Sequence, residues 1–462
     1  MKSSKKRQVV IAGAGLIGST MALALASQGF DVTVFDATTE EDRIKRNKGR
    51  TYALSRASKN LLSNLGLWNE KKLNVSPIEN IILSTRKDAN DPIRQLAEFN
   101  KEISEFEPSS YMIEDCYFRR VLTSELNKNR KIQVINSTEV IQDETNSFET
   151  KISLSDNSLI STEILIISDG RDSGFAKSLD KKFFKKNYNQ VAIVGNLSHQ
   201  NAHKFTAHQL FLTGGPLAIL PLQGKRSTFV WSLPSEIGNN LNISTGEIFV
   251  NHLRENIGDI LTNVSLIDEK KMFPLYLKFL RDPIDIRKVF IGDSALAIHP
   301  LAGQGLNIGL RDVASLVDIL SKGKKLGLDL GNIDLLKKYA KWRSFDKISI
   351  ATYTDFINTL FSNNNFYLKT LRELGMHTID RSELLKNFFV KEAAASRAVM
   401  EVTAPEILRR ARKKGGVLWH LPGLSCKLIN SYFVFYEYDK SIVTISSNAY
   451  TDRALRAVSR IN

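Results

Sequence analysis

Three clusters of glycine and aspartate carry the chemistry that can be read first. Val9-Val-Ile-Ala-Gly13-Ala-Gly15-Leu-Ile-Gly18 reads as a strand, a tight turn and the start of a helix. Gly13 permits the turn, Gly15 lets backbone approach a pyrophosphate, and Gly18 lets helix and strand pack closely. The phosphates would then sit at the positive end of the helix. Asp36 stands at the end of the next strand, where a carboxylate accepts hydrogen bonds from a ribose 2′-OH. These residues fit an adenine dinucleotide and do not distinguish FAD from NAD.

The second cluster does. Val289-Phe-Ile-Gly292-Asp293 reads as a short buried strand, and His299-Pro300-Leu-Ala-Gly303-Gln304-Gly305-Leu306-Asn307 opens a helix after it. Such a loop presents free N–H groups and a positive dipole end, suited to the electron-rich N1–C2=O side of a reduced isoalloxazine. Asp293 can accept hydrogen bonds from the sugar-alcohol linker. A nicotinamide enzyme needs no second cradle, whereas FAD stretched across two segments does. The third cluster, Asp169-Gly170-Arg-Asp-Ser173, ends an apolar strand and is by itself an ordinary turn.

These clusters must be held by strands and helices in alternation. β-type runs at 8–13 and 31–36 bracket a helical stretch rich in Ala and Leu. Apolar residues at 306, 310, 313, 316 and 320 form a helical stripe. Between 188 and 272 alternation of period two dominates, as in Gln190-Val-Ala-Ile-Val and Thr228-Phe-Val-Trp-Ser. The 462 residues, 42% hydrophobic and 24% charged, describe an ordinary globular chain of two or three domains.

The net charge of +15 suits anionic cofactors or an anionic membrane. The basic residues are spread along the chain without an Arg stripe among aromatics, so nucleic acid is not expected. Two cysteines and seven scattered histidines offer no metal-ligand spacing, and no metal is expected. The uncharged stretch 8–30 behind a basic start imitates a signal peptide, but its glycines and the strand after it argue for a nucleotide fold. The uncharged stretch 205–224 contains Gly214-Gly215-Pro216 and Pro221, which argue for strands and a turn.

In this order and at these separations, the three clusters resemble the flavoprotein aromatic hydroxylases of the para-hydroxybenzoate hydroxylase fold. Arg50-Thr-Tyr-Ala-Leu-Ser55-Arg-Ala-Ser58, Leu65-Gly66-Leu-Trp68, Arg120-Val-Leu122 and Tyr188-Asn-Gln190-Val-Ala192 look like the ubiquinone-biosynthesis hydroxylase branch. So do Gly215-Pro216-Leu-Ala-Ile-Leu-Pro221-Leu222 and, most specifically, the run from His299 to Asp312. The likeness extends from about residue 7 to about residue 410.

The resemblance implies an α/β fold: a Rossmann-like FAD-binding domain (1–77, 96–187, 273–321), an interleaved β-sheet substrate domain (78–95, 188–272) and a helical C-terminal region (322–410). It implies that Gly13, Gly15, Gly18 and Asp36 take the ADP half of FAD, that Asp169 serves FAD and nicotinamide binding, and that Gly292 and Asp293 hold the ribityl chain. Arg50 and Arg120 join this set, Arg50 at the pyrophosphate or flavin edge, and Pro300, Gly303, Gln304, Gly305, Leu306 and Asn307 cradle the flavin. As an alternative, Arg50 is an ordinary surface ion-pair arginine. The implied chemistry is reduction of non-covalent FAD by NAD(P)H or another donor, reaction with O2 to a C4a-hydroperoxide, and hydroxyl transfer to an electron-rich phenol ring.

The implied substrate is a polyprenylated phenol of ubiquinone biosynthesis. A membrane surface and other proteins of that pathway are the expected partners, and the location is cytoplasmic, peripheral to the inner membrane. No catalytic base stands out. His299 is the one histidine of the signature, and it reads as readily as a structural residue before a proline.

Two positions depart from the branch: Leu296 stands where a histidine is usual, and Lys177 where an arginine is. Two other readings stay open, a hydroxylase of a soluble aromatic acid and a non-catalytic flavin- or prenyl-binding protein of the same fold. In the extension 411–462, Leu421, Leu424, Leu428, Tyr432 and Phe435 form a stripe that fits a packed helix or an interfacial one.

Overall fold

The computed structural model describes residues 6–86, 90–99, 108, 110–298 and 304–362. Val9, Val10 and Ile11 are wholly buried. A strand buried on both faces has this near-continuous apolar run. Strand Lys6–Ala12 accordingly lies at the centre of a parallel sheet. Strands Val32–Phe35 and Ile132–Ile135 follow on one side, and Leu159–Ile167 and Lys288–Phe290 on the other, all parallel. The strand order therefore reverses between Lys6–Ala12 and Leu159–Ile167, where Ala12 pairs with Ile167. Ligands of open α/β sheets bind at such a switch point, beyond the carboxyl ends of the strands.

Val9 and Ile11 pack on helices Leu16–Ser27 and Gln304–Lys325, whereas Val10 and Ala12 face the opposite side with Phe175 and Ile152. In Gln304–Lys325 the stripe residues Leu310, Val313, Leu316 and Leu320 are all buried. This helix runs on to Lys325, and Ile333–Ser362 follows it. The uncharged stretch 8–30 is thus a strand and a helix, and 205–224 is the antiparallel pair Thr206–Leu212 and Gly215–Leu222. Among the described residues no helix is long and apolar enough to cross a membrane.

The second sheet is built from Leu296–Ala297, Lys271–Leu280, Phe183–Ser198, Arg226–Pro234, Gly215–Leu222, Thr206–Leu212, Asn80–Arg86 and Arg94–Phe99, in that spatial order, with Ser265–Leu266 alongside Phe183–Ser198. Alternate residues point to opposite faces. Ile193, Leu217, Ile219, Phe229 and Trp231 meet Phe249, Leu253 and Ile257 of helix Gly246–Ile257. The other face turns to the first domain, where Asn196 Nδ2 donates to the Gly49 carbonyl at 3.2 Å and the Thr228 and Thr51 hydroxyls lie 3.2 Å apart.

Candidate functional site

The first cradle is held by contacts that only glycine allows. Gly13 has φ +102°, and a Cβ there would lie 2.6 Å from the Ser168 carbonyl oxygen and 3.0 Å from Asp169 Cα. A Cβ on Gly18 would lie 1.9 Å from the Gly13 carbonyl oxygen. The Ser168 hydroxyl donates to the carbonyls of Ala12 and Gly13, each at 3.0 Å, and locks the two strand ends together. At Gly15 the reverse holds: a Cβ would meet nothing within 4 Å, and no side chain caps the helix that begins there. Open space in front of an uncapped helix N-terminus fits a pyrophosphate.

Asp36 closes this cradle from outside. Its Oδ2 accepts from Ala14 N–H at 2.6 Å, its Oδ1 accepts from the Thr38 amide at 2.9 Å and hydroxyl at 2.7 Å, and Arg43 pairs with it at 2.9 Å. Burial pushes its pKa up, but the Thr38 bonds, Arg43 and Ala14 outweigh it and hold the carboxyl below the usual range. The aspartate read from sequence as a ribose acceptor is therefore also the clamp that shapes the turn.

Asp293 is different. It is half-buried in the short turn Gly292–Ser294, and its carboxylate takes no hydrogen bond from any described residue. Gln304 Oε1, at the start of the signature helix, is likewise buried without a partner among the described residues. The unused acceptors of Asp293 and Gln304 flank the same helix start: a Cβ on Gly305 would lie 3.9 Å from Asp293 Oδ1. Buried polar atoms are paired as a rule, so these acceptors and the free space at Gly15 fit a polar cofactor laid across both cradles. Ile17, inside the first glycine motif, joins the cradles by packing on both Gly292 and Gly309.

Arg50 lies on the same side. It is open to solvent in a trough of protein, with its guanidinium 5.3 Å from the Tyr52 ring centroid. Tyr52 raises its pKa against desolvation, and Asp293 and Asp115 add to the effect. Tyr52 donates its hydroxyl to Asp115 at 2.8 Å, which in turn pairs with Arg119. Arg120 is exposed over the Tyr117 ring, and no described contact joins it to either cradle.

Asp169 sits at the switch point, accepting from the Ser173 hydroxyl at 2.8 Å and more weakly from Phe175 N–H at 3.4 Å. Burial raises its pKa against those bonds. Beside it the Lys278 ammonium donates to the Arg171 carbonyl at 2.7 Å. Burial, with Lys177 and Lys185 nearby, lowers the Lys278 pKa. His299, Pro300, Gly303 and the extension 411–462 lie outside the described residues.

Three residues make contacts that the sequence reading did not show. The Asn307 side chain accepts from Ser55 N–H at 2.9 Å and from the Ser58 hydroxyl at 2.7 Å, and donates to the Ala53 carbonyl at 2.8 Å. It ties the signature helix to the Arg50–Ser58 motif. Asp312, wholly buried, accepts from Gly292 N–H at 2.9 Å and pairs with Arg343 at 2.7 Å and Lys347 at 3.0 Å. Burial would raise its pKa, but the two cations and these bonds hold it low. A carboxylate set in a buried helical stripe must be paired, and that was the available signal. Leu296 is buried against Leu277, Ile298 and Ile308, so this chain builds apolar core where the branch carries histidine.

The sheet face that meets Gly49 and Thr51 supplies a wall. Across it, Leu83, Gln209, Ala218, Val230, Val194 and Lys271 pair in one continuous row. All six are half-exposed, while the next row (Phe211, Pro216, Ser232, Ala192) is buried. The row is half-exposed and apolar except at Gln209 and at Lys271, whose ammonium is held by the carbonyls of Arg46 and Lys48.

A model of the FAD binding domain family matches residues 6–343. The chain belongs to this family. Within it, the chain is 31% identical to the ubiquinone hydroxylase UbiL of Rhodospirillum rubrum, over 85% of this chain and 90% of that protein. It is 25% identical to the 3-demethoxyubiquinol 3-hydroxylase of Escherichia coli, over 85% and 99% of the two chains. Among solved structures, p-nitrophenol 4-monooxygenase PnpA of Pseudomonas putida shares the fold at a TM-score of 0.71 with 15% identity, covering 85% of this chain and 99% of that one. Klebsiella pneumoniae HpxO, solved with FAD and uric acid, shares it at 0.67 with 14% identity, covering 84% and 97%. The shared fold agrees with the Rossmann-like, FAD-binding α/β class expected from the sequence.

Proposed function

We propose that this chain is an FAD-dependent monooxygenase that hydroxylates the aromatic ring of a polyprenylated phenol in ubiquinone biosynthesis. The observation that carries the substrate class is the apolar, half-exposed row on the sheet face that meets Gly49 and Thr51. Likeness to ubiquinone hydroxylases along most of the chain supports the same reading.

In this reading Gly13, Gly15 and Gly18 admit the pyrophosphate to the helix N-terminus, and Asp36 shapes their turn while offering Oδ2 to a ribose hydroxyl. Asp293 accepts from the ribityl hydroxyls, and Gln304 with the amides of the helix start faces the flavin. Arg50 counters phosphate charge, with Arg120 and Asp169 at the periphery. FAD, once bound and reduced, supplies the electrons that activate O2 and deliver one oxygen atom to the ring. The protein holds the ring against the flavin and keeps water away. Arg171, Lys177, Lys185 and Lys278, around the Asp-Gly turn, suit the phosphates of NAD(P)H as reductant. The net positive charge suits docking on an anionic inner-membrane surface, beside other proteins of the pathway.

The test uses purified protein carrying FAD, reduced photochemically and mixed with isotopically labelled O2 and 2-geranylphenol. The expected product is the ring-hydroxylated phenol with one labelled oxygen. Hydroxylation of 4-hydroxybenzoate but not of the geranyl compound would transfer the chain to the soluble-acid hydroxylases. Protein that binds FAD but hydroxylates neither compound would support the non-catalytic reading.

A further inference from the structure

The half-exposed row contains one polar side chain that no described residue engages. Gln209 lies in strand Thr206–Leu212, paired with Leu83 on one side and Ala218 on the other. Its side-chain amide is half-buried and makes no hydrogen bond with any described residue. Its row neighbours Leu83, Ala218, Val230 and Val194 have nothing to offer it, and Lys271 at the far end is already held.

The adjoining row contains Thr228 and Asn196, which touch Thr51 and Gly49 on either side of Arg50. Same-face rows are roughly 7 Å apart along the strands, and Gln209 stands two strands, about 9.6 Å, across from Thr228, so a ring bound at Gln209 lies over Ala218 and Val230, between the two. A ligand lying along this row meets hydrocarbon between Gln209 and Lys271, and the Lys271 ammonium is already engaged. Pockets for apolar ligands use such isolated polar groups to fix orientation. A glutamine amide both donates and accepts, so it can serve a phenol hydroxyl in either sense.

We infer that the Gln209 amide hydrogen-bonds the ring oxygen of the phenol and so selects oxygenated rings over plain prenylated hydrocarbons. This rests on the substrate class proposed above. Gln209 is a specificity-determining contact in that site, set apart from the FAD cradles.

The experiment titrates the FAD-loaded protein with 2-geranylphenol and with geranylbenzene, following the flavin absorbance. Wild type should bind the phenol more tightly. In Gln209→Leu, phenol affinity should fall roughly tenfold, the effect of one buried hydrogen bond, with geranylbenzene bound as well as before or better. Gln209→Met, which keeps the side-chain volume, should reproduce this, and FAD affinity should be unchanged in both.

An unchanged phenol affinity in the variants, or an equal loss for both compounds, would overturn the assignment. Wild type that binds the two compounds equally would overturn it alone. Wild type that binds neither would overturn the substrate class with it.

Discussion

Asp36 and Asp293 stand at the two cradles of one site and are held in opposite ways. Asp36 accepts three hydrogen bonds and an arginine from its own chain, which fix the glycine turn before any ligand arrives. Asp293 has a carboxylate with none from the described residues, on a turn whose backbone is instead fixed from behind by Asp312. The first cradle thus combines shaping and recognition in one side chain, while the second divides them between two. For the aspartates, losses of stability and of cofactor affinity should therefore separate at the second cradle, between Asp312 and Asp293, and coincide at the first, in Asp36.

The largest effect should come from Asp312→Ala. It strips Lys347 of its buried counter-charge, leaves Arg343 with Asp346 alone and frees Gly292 N–H, a loss of about 3–5 kcal/mol for a broken buried pair. Denaturant unfolding of the FAD-free protein should show most of it. If the FAD-free protein kept its stability, Asp312 would not be the support of the second cradle.

Within the first glycine motif, Gly18→Ala forces a Cβ into the Gly13 carbonyl and should cost about 1–3 kcal/mol, as overpacking does. At Gly15 an added Cβ meets nothing within 4 Å, so Gly15→Val should leave the FAD-free melting temperature nearly unchanged while weakening FAD. Equal melting losses in the two variants would remove the distinction.

Asp36→Asn should show a smaller, pH-dependent effect of about 1–2 kcal/mol at neutral pH. Because the folded carboxyl is held below its unfolded range, its contribution is present above that range. It disappears as pH falls through the folded value. The variant and wild type should therefore converge in acid, and a difference in unfolding free energy that persisted there would assign the effect to packing.

Much of this was legible in the sequence. Gly13, Gly18 and the stripe from Leu306 to Leu320 have steric or periodic requirements that a sequence displays directly. Asp293 was legible because a short apolar strand ends on it. Asp312, Asn307 and Gln209 were less so, because their meaning depends on what lies opposite. Asp312 needs Arg343 and Lys347 from another helix, Asn307 needs Ser55 and Ser58 from a distant motif, and Gln209 matters only once strand register places it among aliphatic neighbours. Periodicity locates a residue on a face and is silent about which face looks at the site.

The central claim is that one FAD spans both cradles and that Asp293 recognises it without supporting the fold. The direct test measures FAD dissociation and FAD-free thermal unfolding on the same Asp293→Ala sample. Losing a charged acceptor should remove about 1.5–3 kcal/mol of binding. That is roughly a ten- to hundredfold weaker FAD affinity, with the FAD-free melting temperature unchanged. Wild-type FAD affinity, or a lowered melting temperature with affinity preserved in the folded fraction, would contradict the account.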